Sequence, residues 1–113
     1  MELTVENLEG GFQCIALAGR LDLKGTQEVD LKFSAFAGGG KKSVVVDMSK
    51  VEFVASIGIR MLLSNIKTLT ASGAKMVILS PQKMVEDILK LSGLDTVAEI
   101  VHDRAAAIEA LKQ

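Results

Sequence analysis

An α/β domain with a mixed, mostly parallel sheet is what this sequence predicts, and three observations carry that reading. The runs Ser43–Met48 and Lys75–Leu79 are β-branched and apolar on both faces, as central strands covered on two sides are. Segments with apolar residues at helical spacing alternate with the strand-like runs along the chain. The first two strand-like runs are separated by Gly10-Gly11, which reads as a hairpin opening the sheet.

Each element follows in order. Leu3 and Val5 alternate with Glu2, Thr4 and Glu6, the period of a half-exposed strand, and Phe12–Ala18 follows as a second strand. Gly19-Arg20-Leu21-Asp22 turns out of the sheet. From Thr26 to Ala37 the residues Val29, Phe33, Phe36 and Ala37 recur at helical spacing, and Gly38-Gly39-Gly40 stops this helix. Ser43–Met48 is the central strand, and the loop after it delivers Ser56 to the start of a helix. The core stripe of that helix is Ile59, Leu62, Leu63, Ile66 and Leu69, and it ends near Gly73. After the strand Lys75–Leu79, Ser80-Pro81 supplies a cap and a first-turn proline for a helix with inner face Val85, Ile88 and Leu89, ended by Gly93. Val97–Val101 alternates as a last, edge-side strand, and Asp103 caps a C-terminal helix carrying Ala107, Ile108 and Leu111. The order is ββαβαβαβα. No linker, repeat or low-complexity segment divides it, so residues 1–113 form a single domain.

Composition narrows the function. A chain of 113 residues, 49% apolar and 24% charged, can bury a core without disulfides or metal. It has no Trp or Tyr, so aromatic stacking is not a main binding device. Its 13 basic and 14 acidic residues are spread along the chain, which gives no electrostatic footprint for nucleic acid and no polybasic membrane anchor. Cys14 is the only cysteine, placed among Ile15 and Ala16 as a core residue, and a reducing compartment fits. The acidic, alternating N-terminus is unlike a secretory signal, and no apolar run approaches the ~20 residues that cross a bilayer. These features predict a cytoplasmic domain with no membrane insertion, meeting proteins or small molecules.

Enzyme motifs are weak. Gly38-Gly39-Gly40-Lys41-Lys42-Ser43 superficially resembles a phosphate-binding loop, but Lys42 stands where Ser or Thr should follow Gly40-Lys41. The segment also leads from a helix into a strand, the reverse of what a helix-end phosphate site requires. His102, the only histidine, lacks metal-ligand neighbours, and no nucleophile elbow surrounds Ser56. A solvated loop histidine and a polar turn account for both segments. The reading is a non-enzyme without metal or cofactor.

Ser56 is the residue of interest. Capping of the following helix explains it structurally. A functional explanation comes from its neighbours: with the stripe centred on Ile59, Leu62, Leu63 and Ile66, Ile57 and Met61 fall on the opposite side with Ser64 and Thr68, and Arg60 stands at the border. Two apolar side chains would then face outward beside Ser56 as a docking ledge. Phosphate on Ser56 would add about −1.5 to −2 charge, which the helix end favours and an apolar or acidic partner opposes.

Asp47-Met48-Ser49 followed by Phe53-Val54-Ala55-Ser56-Ile57-Gly58-Ile59-Arg60 resembles the signature of STAS domains of the anti-sigma factor antagonist type. There, Asp-Leu-Ser leads to a Phe-x-Asp-Ser-Ser-Gly-Leu-Gly-like loop. Gly19-Arg20-Leu21-Asp22, Gly73-Ala74-Lys75 and Leu89-Lys90-Leu91-Ser92-Gly93-Leu94-Asp95 are similar to further family segments, so the likeness spans essentially the whole chain. It implies a STAS-like fold and a partner-switching role: the unmodified protein binds an anti-sigma factor or a related histidine-kinase-like serine kinase, releasing a sigma factor, phosphorylation at Ser56 dissolves the complex, and a phosphatase restores it. It further implies that Asp22, Leu23 and Lys24 flank the same surface as Ala55, Ser56, Ile57, Gly58, Arg60 and Met61, although Asp22 is equally readable as a turn residue. Three positions differ from the family pattern: Ala55 replaces an aspartate, Ile57 a serine and Arg60 a glycine. Two alternatives stand beside the switch. One is an unswitched STAS scaffold serving a transporter ATPase or a sensory assembly; the other is a nucleotide-binding STAS module, which no glycine or basic spacing here supports.

Overall fold

The computed structural model describes all residues from Met1 to Gln113. Five strands form one sheet in the order β1-β2-β3-β4-β5: β1 Glu2–Asn7, β2 Gln13–Leu21, β3 Val44–Val54, β4 Met76–Leu79 and β5 Glu99–Val101. β1 pairs antiparallel with β2, and every later pairing is parallel. The expected element order and N-terminal hairpin are present. Four helices complete the chain: α1 Leu23–Phe36, α2 Ser56–Ala71, α3 Lys83–Leu91 and α4 Arg104–Leu111.

The topology dictates where the core lies. Successive parallel strands step in one direction across the sheet, so right-handed crossovers put all the connecting helices on one face. The larger core, 21 buried residues, lies there: Ile15, Leu17, Val44, Val46, Met48, Met76 and Ile78 from the strands meet Phe33, Leu62, Leu69, Val85 and Leu89 from α1, α2 and α3. After β5 the chain has no further strand to reach, and α4 covers the opposite face. A second, smaller core of seven residues forms there, with Cys14, Val45, Val77 and Leu79 against Ala107, Ala110 and Leu111. Consecutive residues of β3 and β4 therefore point into two different cores, which explains their unbroken apolar runs. Burial, reinforced by the nearby Asp47 charge, raises the pKa of the Cys14 thiol.

Several boundaries differ from the sequence expectation. β3 continues through Val54 instead of ending at Met48. Val44–Asp47 pair with Met76–Leu79, and the strand then runs on beside β2 alone, until Leu21 pairs with Val54. Irregularities between Ala16 and Ala18 and between Gly19 and Arg20 let the ribbon continue. The exposed Ser49, Lys50 and Glu52 give this stretch the polarity of a loop. The helix expected from Thr26 starts at Leu23. Ser80 does not cap α3: it adopts φ 54°, Pro81 precedes the helix, and Gln82 is the N-cap residue without a side-chain cap bond. Asp103 does cap α4, accepting from the Ala106 N–H at 2.8 Å.

Candidate functional site

The site is assembled where β2 and β3 end. In parallel sheets this carboxyl-terminal edge gathers the loops and helix starts that meet ligands and partners. β2 delivers Asp22, whose side chain accepts from the Gly25 N–H at 2.8 Å and caps α1. That hydrogen bond, helped by the Arg20 guanidinium 3.6 Å away, holds the Asp22 carboxyl below its usual range. Gly25 is required by space: a Cβ there would overlap the Arg20 carbonyl oxygen.

β3 delivers Ala55 and Ser56. Ala55, extended at φ −100° and ψ 172°, is the N-cap residue of α2, and its side chain has no atom to cap with. Ser56 is thus the first helical residue and not the cap, which corrects the structural explanation of this serine. Its side chain is exposed and its hydroxyl makes no hydrogen bond within the protein. The Ala55 N–H donates to the Leu21 carbonyl at 2.9 Å, locking the start of α2 to the end of β2. Gly58 lies in the same contact, buried against Leu21 and Val54.

The outward ledge of Ile57 and Met61 does not exist. Met61 is 5% exposed and belongs to the main core, while Ile57 is half-buried. The buried stripe of α2 is Gly58, Met61, Leu62, Asn65, Ile66 and Leu69, because α1 as well as the sheet packs against this helix. Ile59 and Leu63, expected at the centre of the core, are partly buried at its edge. Asn65 holds the α1–α2 seam: its Oδ1 accepts from the Gly38 N–H at 3.1 Å, and its Nδ2 donates to the Met61 carbonyl at 2.8 Å and to Ser34 Oγ at 3.2 Å. A groove of about 380 Å³ runs along this seam, with Arg60, Ile57 and Thr26 among its lining residues. The buried Thr26 hydroxyl is without a hydrogen-bond partner.

Of the remaining expected residues, Leu23 and Lys24 are exposed in the first turn of α1, with Leu23 at 59%. Arg60 is exposed one turn beyond Ser56. Sequence reasoning missed Arg20 and Phe53, which face each other across the β2–β3 ribbon with the guanidinium 4.6 Å from the ring centre, a cation–π contact. Their position just before the two helix starts was the available signal. His102 is exposed at 2.7 Å from Glu86 Oε1, on the α3 side of the sheet. The glycine run at Gly38–Gly40 is a single turn of 3-10 helix joining α1 to β3. No helix is long and apolar enough to cross a membrane, and no cluster of three or more His, Cys, Asp or Glu side chains is placed to hold a metal ion.

Comparison with known proteins agrees with this architecture. Residues 7–107 match the STAS domain family. Over 112 residues, 99% of this chain and 96% of the relative, the sequence is 23% identical to the protein named "Putative anti-sigma factor antagonist BtrV" of Bordetella bronchiseptica. Among solved structures, an anti-sigma factor antagonist from Mycobacterium paratuberculosis superposes with TM-score 0.87 at 20% identity, covering 99% of this chain and 94% of that one. The anti-sigma factor antagonist SpoIIAA superposes in its unphosphorylated form with TM-score 0.80 at 20% identity, over 98% and 96% of the two chains. The phosphorylated form of SpoIIAA, a Bacillus cell fate determinant, gives 0.72 at 20% identity over 96% and 98%. With the β-hairpin, the three crossover helices on one face and the family match over most of its length all in agreement, this chain belongs to the STAS domain family.

Proposed function

We propose that this protein is a non-enzymatic regulatory module that docks, unmodified, onto an anti-sigma factor of the serine-kinase type, and that phosphorylation of Ser56 releases it. The single observation behind this reading is the Ser56 hydroxyl, exposed and bonded to nothing in the protein, on a helix turn pinned to the neighbouring strand. A hydroxyl with a structural duty would be engaged; this one is free to react. The relatives named as anti-sigma factor antagonists, and the existence of SpoIIAA in phosphorylated and unphosphorylated forms, support the same reading.

The chemistry is a phosphoryl transfer. Ser56 Oγ attacks the γ-phosphorus of a nucleoside triphosphate held by the partner, the bond from that phosphorus to the β–γ bridging oxygen breaks, and the hydroxyl proton passes to a base on the partner. Nucleoside diphosphate leaves, and a phosphatase later returns the hydroxyl by hydrolysis. The docking face is Leu23 and Lys24 on α1, Asp22 between β2 and α1, and Ala55, Ser56, Ile57 and Arg60 at the start of α2, with the buried Gly58 beneath it. Met61, being inside, is not part of it. A charge of about −1.5 to −2 at its centre opposes any partner surface complementary to the neutral serine.

The test uses the cognate kinase-type anti-sigma factor with ATP. Intact mass should rise by one phosphate in the wild type and not in Ser56→Ala. Ser56→Asp should lose the partner in a pull-down while Ser56→Ala keeps it. Retention of the partner by Ser56→Asp, with no phosphate gained by the wild type, would point to an unswitched scaffold instead.

A further inference from the structure

Arg60 follows Ser56 by one helical turn on α2, exposed, and takes part in no ion pair. Residues at i and i+4 are neighbours on a helix surface, and long side chains lean toward the N-terminus, so the Arg60 side chain, which lines the α1–α2 groove, is within reach of the turn that carries Ser56. An acidic group N-terminal to a basic one is the favourable order for such a pair. Asp30, across the seam on α1, is the only other ionisable side chain lining the groove with Arg60, and it does not engage the guanidinium. Asp30 instead accepts from its own helix, Ser34 Oγ at 3.4 Å.

We propose that Arg60 is an intramolecular latch for the phosphate on Ser56. This rests on the reading of Ser56 as the modified residue and adds what happens once it is modified. A guanidinium presents paired N–H donors that match two phosphate oxygens, a stronger and more directional contact than a point charge makes. The Ser56 and Ile57 N–H groups of the first turn have no side-chain cap from Ala55 and add to the positive end of the helix, while the Gly58 N–H is already bonded to the Ala55 carbonyl at 3.0 Å. The modified serine is thereby held on an intact helix. The latch also takes a cation off the docking surface at the moment a dianion is added, so the partner loses a positive contact and meets a phosphate that keeps about one net negative charge after pairing with the guanidinium. Serine alone, being neutral, leaves Arg60 available to an acidic group on the partner.

The experiment installs phosphoserine at position 56 of the full chain during translation and follows the phosphorus resonance with pH. A guanidinium beside the phosphate favours its dianion, so the second phosphate pKa, about 6 when free, should be lower in the wild type than in Arg60→Gln. The expected difference is about 0.2–0.7 unit, the size of an exposed ion pair, shrinking in high salt. Arg60→Lys should keep part of the lowering, and both variants should melt with the unmodified wild type because the residue is exposed. Equal pKa values in wild type and Arg60→Gln, or no lowering in Arg60→Lys, overturn the latch. That result leaves untouched the release of partner by Ser56→Asp. Conversely, a phosphoserine protein that shows the lowered pKa but still holds its partner keeps the latch and removes the switch.

Discussion

Gly58 lies so close to Leu21 that a Cβ on it would stand 3.0 Å from both the Leu21 Cβ and the Leu21 carbonyl oxygen. That oxygen already accepts the Ala55 N–H at 2.9 Å, so the strand cannot retreat without breaking the bond that seats α2. The turn that carries Ser56 is thus positioned by the absence of a side chain two residues further on.

Replacing Gly58 by Ala tests this seat. The added methyl also meets Val54 Cγ2 at 3.2 Å. Overpacking costs about 1–3 kcal/mol, while Ala gains roughly 1 kcal/mol of helix propensity over Gly. A net destabilisation of about 1 kcal/mol is expected in urea unfolding, with slower phosphate uptake at Ser56 because the turn is displaced. An unchanged midpoint would show that the strand yields freely.

Met61 and Ile57 should behave as opposites. Met61→Ala empties a core position and should cost about 2–4 kcal/mol. Ile57→Ala removes a half-buried side chain and should cost under about 1.5 kcal/mol, with its main effect on partner affinity. Equal stability losses would contradict the packing of α2 described above.

Thr26→Val should stabilise the protein. The Thr26 hydroxyl is buried without a partner, and an isosteric methyl removes an unpaid desolvation cost of about 1–2 kcal/mol. The thermal midpoint should rise by a few degrees. A fall would mean that the hydroxyl is satisfied by a water within the α1–α2 seam.

Asp22 makes stability depend on acid. Its folded pKa is depressed by the Gly25 N–H and by Arg20, so its contribution is fully present above the unfolded carboxylate value, about 3.9, and is lost as pH falls through the lower folded value. Asp22→Asn keeps an acceptor for the Gly25 N–H but cannot titrate. Its unfolding midpoint should vary less than that of the wild type between pH 4 and about pH 2. Parallel curves would deny Asp22 this role.

The sequence revealed the fold more fully than the site, and α2 explains why. Strand β-branching and helical spacing are strong signals, and they placed every strand and helix in the right order. The phase of α2 was misread because its buried stripe contains Gly58 and Asn65, a residue with no side chain and one with a polar one. Neither carries a hydrophobic signal, so Ile59 and Leu63 stood in for them and Met61 was turned outward. The second half of β3 was hidden similarly, since Ser49, Lys50 and Glu52 face solvent and the pairing with β2 shifts register past Ser49 and Glu52. Ser56 was found as the residue at the helix start, yet its freedom from capping depends on the backbone of Ala55, which no pattern of residue types expresses.

β3 outruns β4, and this separates the molecule's responsibilities along the chain. Every residue of the proposed docking face, and the Arg20–Phe53 pair beside it, comes from the stretch between Arg20 and Arg60, and none from beyond Ala71. The far flank of the sheet, with its short edge and closing helix, is therefore at liberty to diverge. A descendant could acquire a second attachment there, or a fused neighbour, without retuning the first.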